Sequence, residues 1–119
     1  MEDRFTQQLK KGVLEMLVLN LICDQPGYGY ELLMRLKKNS EGRFSLKEGT
    51  LYPILYRLED EGLIESKWSE GSGRNAPKKM YRATEAGRGE LERRVDIWQE
   101  FRECVDHLTL GGMENGSDE

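Results

Sequence analysis

The chain is poor in the residues that carry most enzyme chemistry: its 119 residues include one histidine, His107, and two cysteines, Cys23 and Cys104. A single imidazole offers no ligand spacing for zinc, and no Ser or Cys lies near a plausible base motif, so catalysis is disfavoured. His107 is expected at the surface or against a second chain. The cysteines form no CxxC pair and are expected to pack as reduced thiols, a redox-sensing pair being the alternative. Long apolar runs are missing too. Val13 to Cys23 is interrupted by Glu15 and Asn20 and falls short of the roughly 20 residues that span a bilayer, so it is expected as a buried core helix. No basic start with an apolar stretch and small-residue cleavage site opens the chain, which is therefore expected in the cytoplasm and away from membranes.

Positive charge is not in excess: 18 Lys and Arg stand against 22 Asp and Glu, and the net charge of -4 argues against indiscriminate nucleic-acid binding. Its location matters more. Between Glu65 and Arg82 the basic residues Lys67, Arg74, Lys78, Lys79 and Arg82 oppose only Glu65 and Glu70. The acidic surplus lies in the helix-forming ends and in Met113 to Glu119. A chain of this length is one domain with a small core, which oligomerisation would help to stabilise.

Punctuation divides the chain. A first helix is expected from about Thr6 to Asp24, stopped by Gln25-Pro26-Gly27. A second follows from about Tyr30 to Lys38, with Leu32, Leu33 and Leu36 inward and Arg35, Lys37 and Lys38 outward. Asn39 to Gly42 then turns, and Arg43-Phe44-Ser45 is a candidate short strand against a later hairpin. A third helix has two candidate starts, a Ser45-x-x-Glu48 capping box or a later start near Lys47. Its inward stripe is Leu51, Ile54, Leu55 and Leu58, while Thr50, Tyr52, Tyr56 and Arg57 project elsewhere. Pro53 is expected to kink it, and Gly62, followed by Leu63, to end it. Strand-like segments Ile64 to Trp68 and Met80 to Ala83 flank a loop carrying Arg74, Lys78 and Lys79. A helix followed by a basic-tipped hairpin is the order of a winged helix-turn-helix.

The last element is the longest. Thr84 is a plausible N-cap, and from Glu85 to Leu110 the residues Leu91, Val95, Trp98, Phe101, Val105 and Leu108 recur at coiled-coil-like spacing. The seam either covers the domain's own core or meets a second chain, and its length favours the second chain for much of it. Gly111-Gly112 is expected to stop it.

These segments resemble the PadR family of bacterial transcriptional regulators in its short form, over nearly the whole chain. The matching residues are Gly27-Tyr28-Gly29-Tyr30-Glu31-Leu32, Gly49-Thr50-Leu51-Tyr52-Pro53 with Arg57-Leu58-Glu59 and Gly62-Leu63-Ile64, Pro77-Lys78-Lys79 with Tyr81, and Thr84-Glu85-Ala86-Gly87. Met80, Ala83 and Lys47 depart from the usual pattern. The resemblance implies a mainly α fold with a small β-hairpin wing: a winged helix-turn-helix over 1–84, with helix one also contributing to the dimer interface, a dimerisation helix over 85–110, and a disordered acidic tail over 111–119. It implies a homodimer that represses transcription from a palindromic double-stranded DNA operator and is released by a signal, with no cofactor and no metal.

By the same resemblance, Thr50, Tyr52 and Pro53 face the groove, Tyr28 and Lys47 touch the DNA backbone, and Arg74, Lys78 and Lys79 serve the wing. Lysine and arginine there would neutralise phosphates, and tyrosine hydroxyls would donate to phosphate oxygens. Packing alone is the competing role for Tyr28 and Tyr52, and a solvated turn for the wing tip. Trp98, in mid-seam, is a candidate for stacking a planar ligand between subunits, with Arg94 and Arg102 one turn away favouring an anionic aromatic; ordinary packing is again the alternative. A winged-helix protein-interaction module without specific DNA binding is the other function these features allow.

Overall fold

A computed structural model describes residues 2–71 and 73–111. Helix α1, Arg4–Asp24, opens at Asp3, whose carboxylate accepts from the Thr6 amide at 2.8 Å. Its apolar half buries Leu14, Val18, Leu19, Leu21 and Ile22. The C-terminal carbonyls, which lack intrahelical donors, are met by arginines from two other elements. Arg35 donates to Leu21 and Gln25 at 2.6 and 2.9 Å, and Arg88 to Cys23 at 2.9 Å. Arg35, expected outward, thus folds back onto α1.

Strand β1, Gly27–Tyr28, leads into α2, Gly29–Asn39. Helix α3, Glu48–Asp60, takes the later of the two expected starts: Lys47 is its N-cap and no side chain caps it. It runs through Pro53 as one helix. It ends as expected at Gly62, with φ of 77°, where the Leu63 amide donates to Leu58 O at 2.9 Å and the Gly62 amide to Glu59 O at 3.0 Å. The stripe Leu51, Ile54, Leu55 and Leu58 is fully inside.

Strands β2, Ile64–Trp68, and β3, Lys79–Ala83, pair antiparallel with Ser66 opposite Tyr81. The third strand of the sheet is β1, in the order β1-β3-β2 with Gly27 opposite Tyr81. The expected strand at Arg43 to Ser45 does not form. Its backbone is committed elsewhere, the Phe44 amide to the nearby Ser40 Oγ at 2.9 Å and the Arg43 carbonyl to Lys10 Nζ of α1, while Phe44 packs on the core.

Thr84 caps α4, Glu85–Asp106, accepting from the Gly87 amide at 3.0 Å, and donates to Gly62 O at 2.7 Å. Gly87 is buried against the Leu63 carbonyl, which also accepts from the Thr84 amide at 3.1 Å. This approach locks the start of α4 to the end of α3. A π-helical turn, His107–Gly111, continues α4 instead of the α-helix expected as far as Leu110. With 22 residues, α4 is about 33 Å long at ~1.5 Å per residue, and the molecule extends 70 Å along its major axis.

The seam of α4 divides where it leaves the sheet. Leu91 and Val95 are half-buried, Leu91 against the core. Trp98, Phe101, Val105 and Leu108 are exposed, Phe101 at 62% and Leu108 at 71%, and so are Phe5 and Leu9 near the start of α1. Ile97, which the heptad-like spacing leaves out, is exposed beside them. His107 is at the surface as expected; Cys23 packs on the core, but Cys104 is exposed in the single chain. Of the tail expected over 111–119, Gly111 instead belongs to the π-helical turn, and the rest lies outside the described residues.

Candidate nucleic-acid interface

Helix α3 buries one face and leaves the other outside. Lys47, Glu48, Gly49, Thr50 and Pro53 are exposed around its N-terminal end, and Tyr56 and Arg57 further along. The wing β2-β3 rises beside this face because β3 is pinned at its centre by Tyr81. That side chain is 1% exposed, and burial pushes its phenol up to about 12, helped by Tyr52, Glu59 and Tyr56.

Between α2, α3 and the wing lies a cleft of about 360 Å³. Tyr28 and Tyr30 line one wall with parallel rings, 6.1 Å apart and 5° between planes, and the Lys78 ammonium stands 5.8 and 5.1 Å from their centroids. The other wall is Tyr56 and Trp68, where the Lys79 ammonium is 6.0 and 5.6 Å from the rings. Cation–π attraction thus holds both wing lysines along the groove side of the wing. Lys79 is drawn further in by Glu59 at 3.9 Å. Arg74, Lys67 and Lys78 are exposed, and among the described residues none of the three has a carboxylate in salt-bridge range. Arg82 is neutralised by Glu65 at 2.6 Å.

The residues expected to touch DNA therefore differ in character. Thr50, Pro53 and Lys47 are open at the end of α3, and Arg74 and Lys78 on the wing. Tyr28 and Tyr52 are half-buried, and Lys79 is tethered. Tyr52 packs against Gly29, and burial together with Glu48 raises its phenol, so it stays a neutral donor. Tyr30 and Trp68 join the site without having been expected there. Their only sequence signal is an aromatic within reach of a basic loop, and pairing across the cleft is invisible before the chain folds.

A second cleft, about 390 Å³, runs between α1 and α4, lined by Val13, Met16, Ile97, Trp98 and Phe101 together with Glu15 and Arg94. Trp98 therefore has a wall of α1 in front of it. Arg94 is already occupied: it donates to Glu90 at 2.7 Å and approaches Glu15 at 3.8 Å. Arg102 is exposed and does not line the cleft.

Three helices with a three-stranded sheet that carries the β2-β3 wing, an open helix end beside exposed cations, and a long trailing helix define a winged helix-turn-helix DNA-binding protein. The chain belongs to the PadR-like family of transcriptional regulators, whose profile matches residues 18–93. It is similar to a transcriptional regulator of Mycobacterium tuberculosis, 32% identical over 112 residues that cover 92% of this chain and 94% of that one. The negative transcriptional regulator PadR of Bacillus subtilis is 33% identical over 79 residues, 66% of this chain and 43% of its own. Among solved structures, a PadR family regulator from Eggerthella lenta superposes with a TM-score of 0.79 at 34% identity, over 87% of this chain and 88% of that one. A PadR-like regulator from Bacillus cereus gives 0.70 at 36% identity, over 85% and 95%. These named relatives are transcriptional regulators, not enzymes. No helix among the described residues is long and apolar enough to cross a membrane.

Proposed function

We propose that this chain works as a homodimer that represses transcription from a palindromic operator and lets go when a small molecule occupies the α1/α4 cleft. The observation that carries the DNA-facing part is the exposed end of α3, Thr50 and Pro53 included, beside a wing whose Arg74 and Lys78 are open to solvent. Thr50 and Pro53 would face base edges in the major groove, Lys47 and Tyr28 would sit by the phosphates, and the wing cations would neutralise the adjacent backbone. Lys79 would act mainly by fixing the wing, since Glu59 and two rings already hold it. Tyr52 would set the angle of α3 and offer its hydroxyl from within the cleft.

The dimer reading is supported by the uncovered seam Trp98, Phe101, Val105 and Leu108, joined by Ile97 and by Phe5 and Leu9 of α1. Exposed apolar stripes of that extent mark association sites. The effector reading is supported by the apolar lining around Trp98. With Arg94 committed to Glu90 and Glu15 and Arg102 outside the cleft, any preference for an anionic aromatic falls to Lys11, which lines it.

The test is selection of a duplex by the full chain from a random-sequence library, followed by titration against salt. A palindrome should emerge with half-sites about one helical turn, ~34 Å, apart. Lys78→Ala with Arg74→Ala should weaken the selected and scrambled duplexes alike and lower the salt slope by about one for each phosphate no longer neutralised. Thr50→Ala should weaken the selected duplex alone. Equal affinity of wild type and both variants would remove α3 and the wing from the interface.

A further inference from the structure

Glu15 stands where three helices meet. On α1, its Oε2 accepts from Arg57 Nε of α3 at 3.1 Å and lies 3.0 Å from Arg57 Nη2. Its Oε1 is 3.8 Å from Arg94 Nη1 of α4, whose Nε donates to Glu90 at 2.7 Å. One carboxylate thus divides its two oxygens between the helix that faces DNA and the helix that carries the seam. Helix α3 packs on α1, α2 and β2, and α4 on α1 and β3, so α1 is the helix they share. The same Glu15 also lines the cleft in front of Trp98.

We infer that Glu15 is a positioning residue that holds Arg57, and with it the angle of α3, in a way that depends on what happens in the α1/α4 cleft. Two nitrogens of a planar guanidinium on one oxygen restrict rotation of the α3 side chain more than a lysine contact would. The pair is partly exposed, so its effect on overall stability is modest and shows as a coupling in a mutant cycle rather than as a large loss. Its effect on orientation is a different quantity, because a recognition helix reads base edges only in one pose. A cation entering the cleft competes with Arg57 for Glu15, and an anion that draws Arg94 away leaves Arg57 as the sole partner of Glu15. Either event changes the hold on α3, and by linkage DNA binding changes the affinity of the cleft for its occupant. This rests on the proposed DNA-binding and effector-binding function.

Two measurements on the full chain test it. The first needs no DNA: thermal unfolding of Arg57→Gln, Arg94→Gln and the double variant, each with Glu15 intact and with Glu15→Gln. The two arginine changes should be non-additive when Glu15 is present and additive when it is Gln. Additivity in both backgrounds overturns the relay, whatever becomes of the DNA-binding reading. The second compares a duplex selected by the wild-type chain with a scrambled one. Glu15→Gln should lose about tenfold in affinity for the selected duplex, with scrambled-duplex affinity and its salt slope unchanged because every phosphate keeps its cation. Glu15→Asp, which keeps the charge, should recover part of the loss. Wild-type discrimination by Glu15→Gln overturns the inference. Failure to select any duplex instead counts against the proposed function, and the thermal cycle then decides the relay alone.

Discussion

Tyr52 lies on Gly29 with no room between them: a Cβ at Gly29 would stand 2.9 Å from Tyr52 Cζ and nearer still to the hydroxyl. This contact joins the first turn of α2 to the exposed half of α3 and sets how the two helices cross. Tyr52 also stands 6.3 Å from Tyr56, ring to ring, so the aromatic face of α3 is organised from the α2 side. If α3 enters the groove as proposed, a tyrosine held this way would contribute to DNA recognition chiefly through the placement of its neighbours Thr50 and Pro53.

Gly29→Ala should therefore destabilise the fold by about 1–3 kcal/mol through overpacking, although alanine is the better helix former. Tyr52→Leu should relieve the clash, so that the double variant loses less than the sum of the two single changes in urea unfolding. A Gly29→Ala protein as stable as wild type would show that α2 and α3 leave room for a methyl group between them.

Gly87 gives a sharper contrast of sign. Helix propensity alone makes Gly87→Ala stabilising by ~0.8–1 kcal/mol. The added Cβ, however, would stand 2.9 Å from the carbonyl carbon of Leu63 and closer to its oxygen, and backbone cannot swing aside as a side chain can. The expected result is a loss of more than about 2 kcal/mol, in the range of changes that strain a packed backbone. Gly89→Ala, with open space at its Cβ, is the control and should be neutral or stabilising.

Most of this architecture is legible before folding because local signals agree with one another. The stripe of α3, its glycine stop, the two wing strands and the Thr84 cap each rest on spacing or backbone chemistry within a few residues. What is not legible depends on long-range pairing. Gly27–Tyr28 supplies the third strand instead of Arg43 to Ser45 because Tyr81 brings β3 across to it, while Ser40 and Lys10 have taken the backbone of the other segment. Arg35 reads as a solvated residue until the carbonyls of α1 arrive beside it. At the site, Lys78 and Lys79 are visible as charges, but the four rings that hold them come from separate elements. Of the partners that occupy Arg94, Glu90 at i,i+4 spacing is legible in the sequence, whereas Glu15 on another helix is not.

Protonation of Glu90 should weaken α4 as pH falls from ~4.5 toward ~2. Hydrogen bonds from Arg93 and Arg94 hold the Glu90 carboxyl down at about 2, below its ordinary 4.5. A carboxylate depressed on folding contributes its stabilisation fully above pH ~4.5 and loses it as pH falls toward ~2, where the folded form also takes up the proton. Arg93 is exposed while Glu90 and Arg94 are partly buried, so the effect is modest and only partly screened by salt. Unfolding free energy measured from pH 5 to pH 2 should fall less steeply in Glu90→Gln than in wild type. Parallel profiles would mean that the two arginines do not hold Glu90 in solution.

The seam on α4 is the remaining feature that the single chain leaves unsatisfied. Phe101 and Leu108 expose most of their surface, and Trp98 is 39% exposed despite the cleft beside it. At about 25 cal/mol per Å² of apolar surface removed from water, covering such a stripe twice in a symmetric pair gives a substantial drive to associate. Val95, half-buried near the core end of the stripe, and Phe101, open beyond it, bracket Trp98 on the same helix. Replacing both by Asp should put uncompensated charge into the contact, which costs far more than the apolar area removed. Sedimentation velocity should then find monomers, and binding to a selected palindrome should weaken more than binding to a single half-site. Phe101→Asp alone, remote from the sheet and exposed in the single chain, should separate the subunits while leaving the winged domain folded by circular dichroism. A double variant that stays folded and sediments as a dimer would place the subunit contact on another surface, and the apolar seam would then need a different occupant.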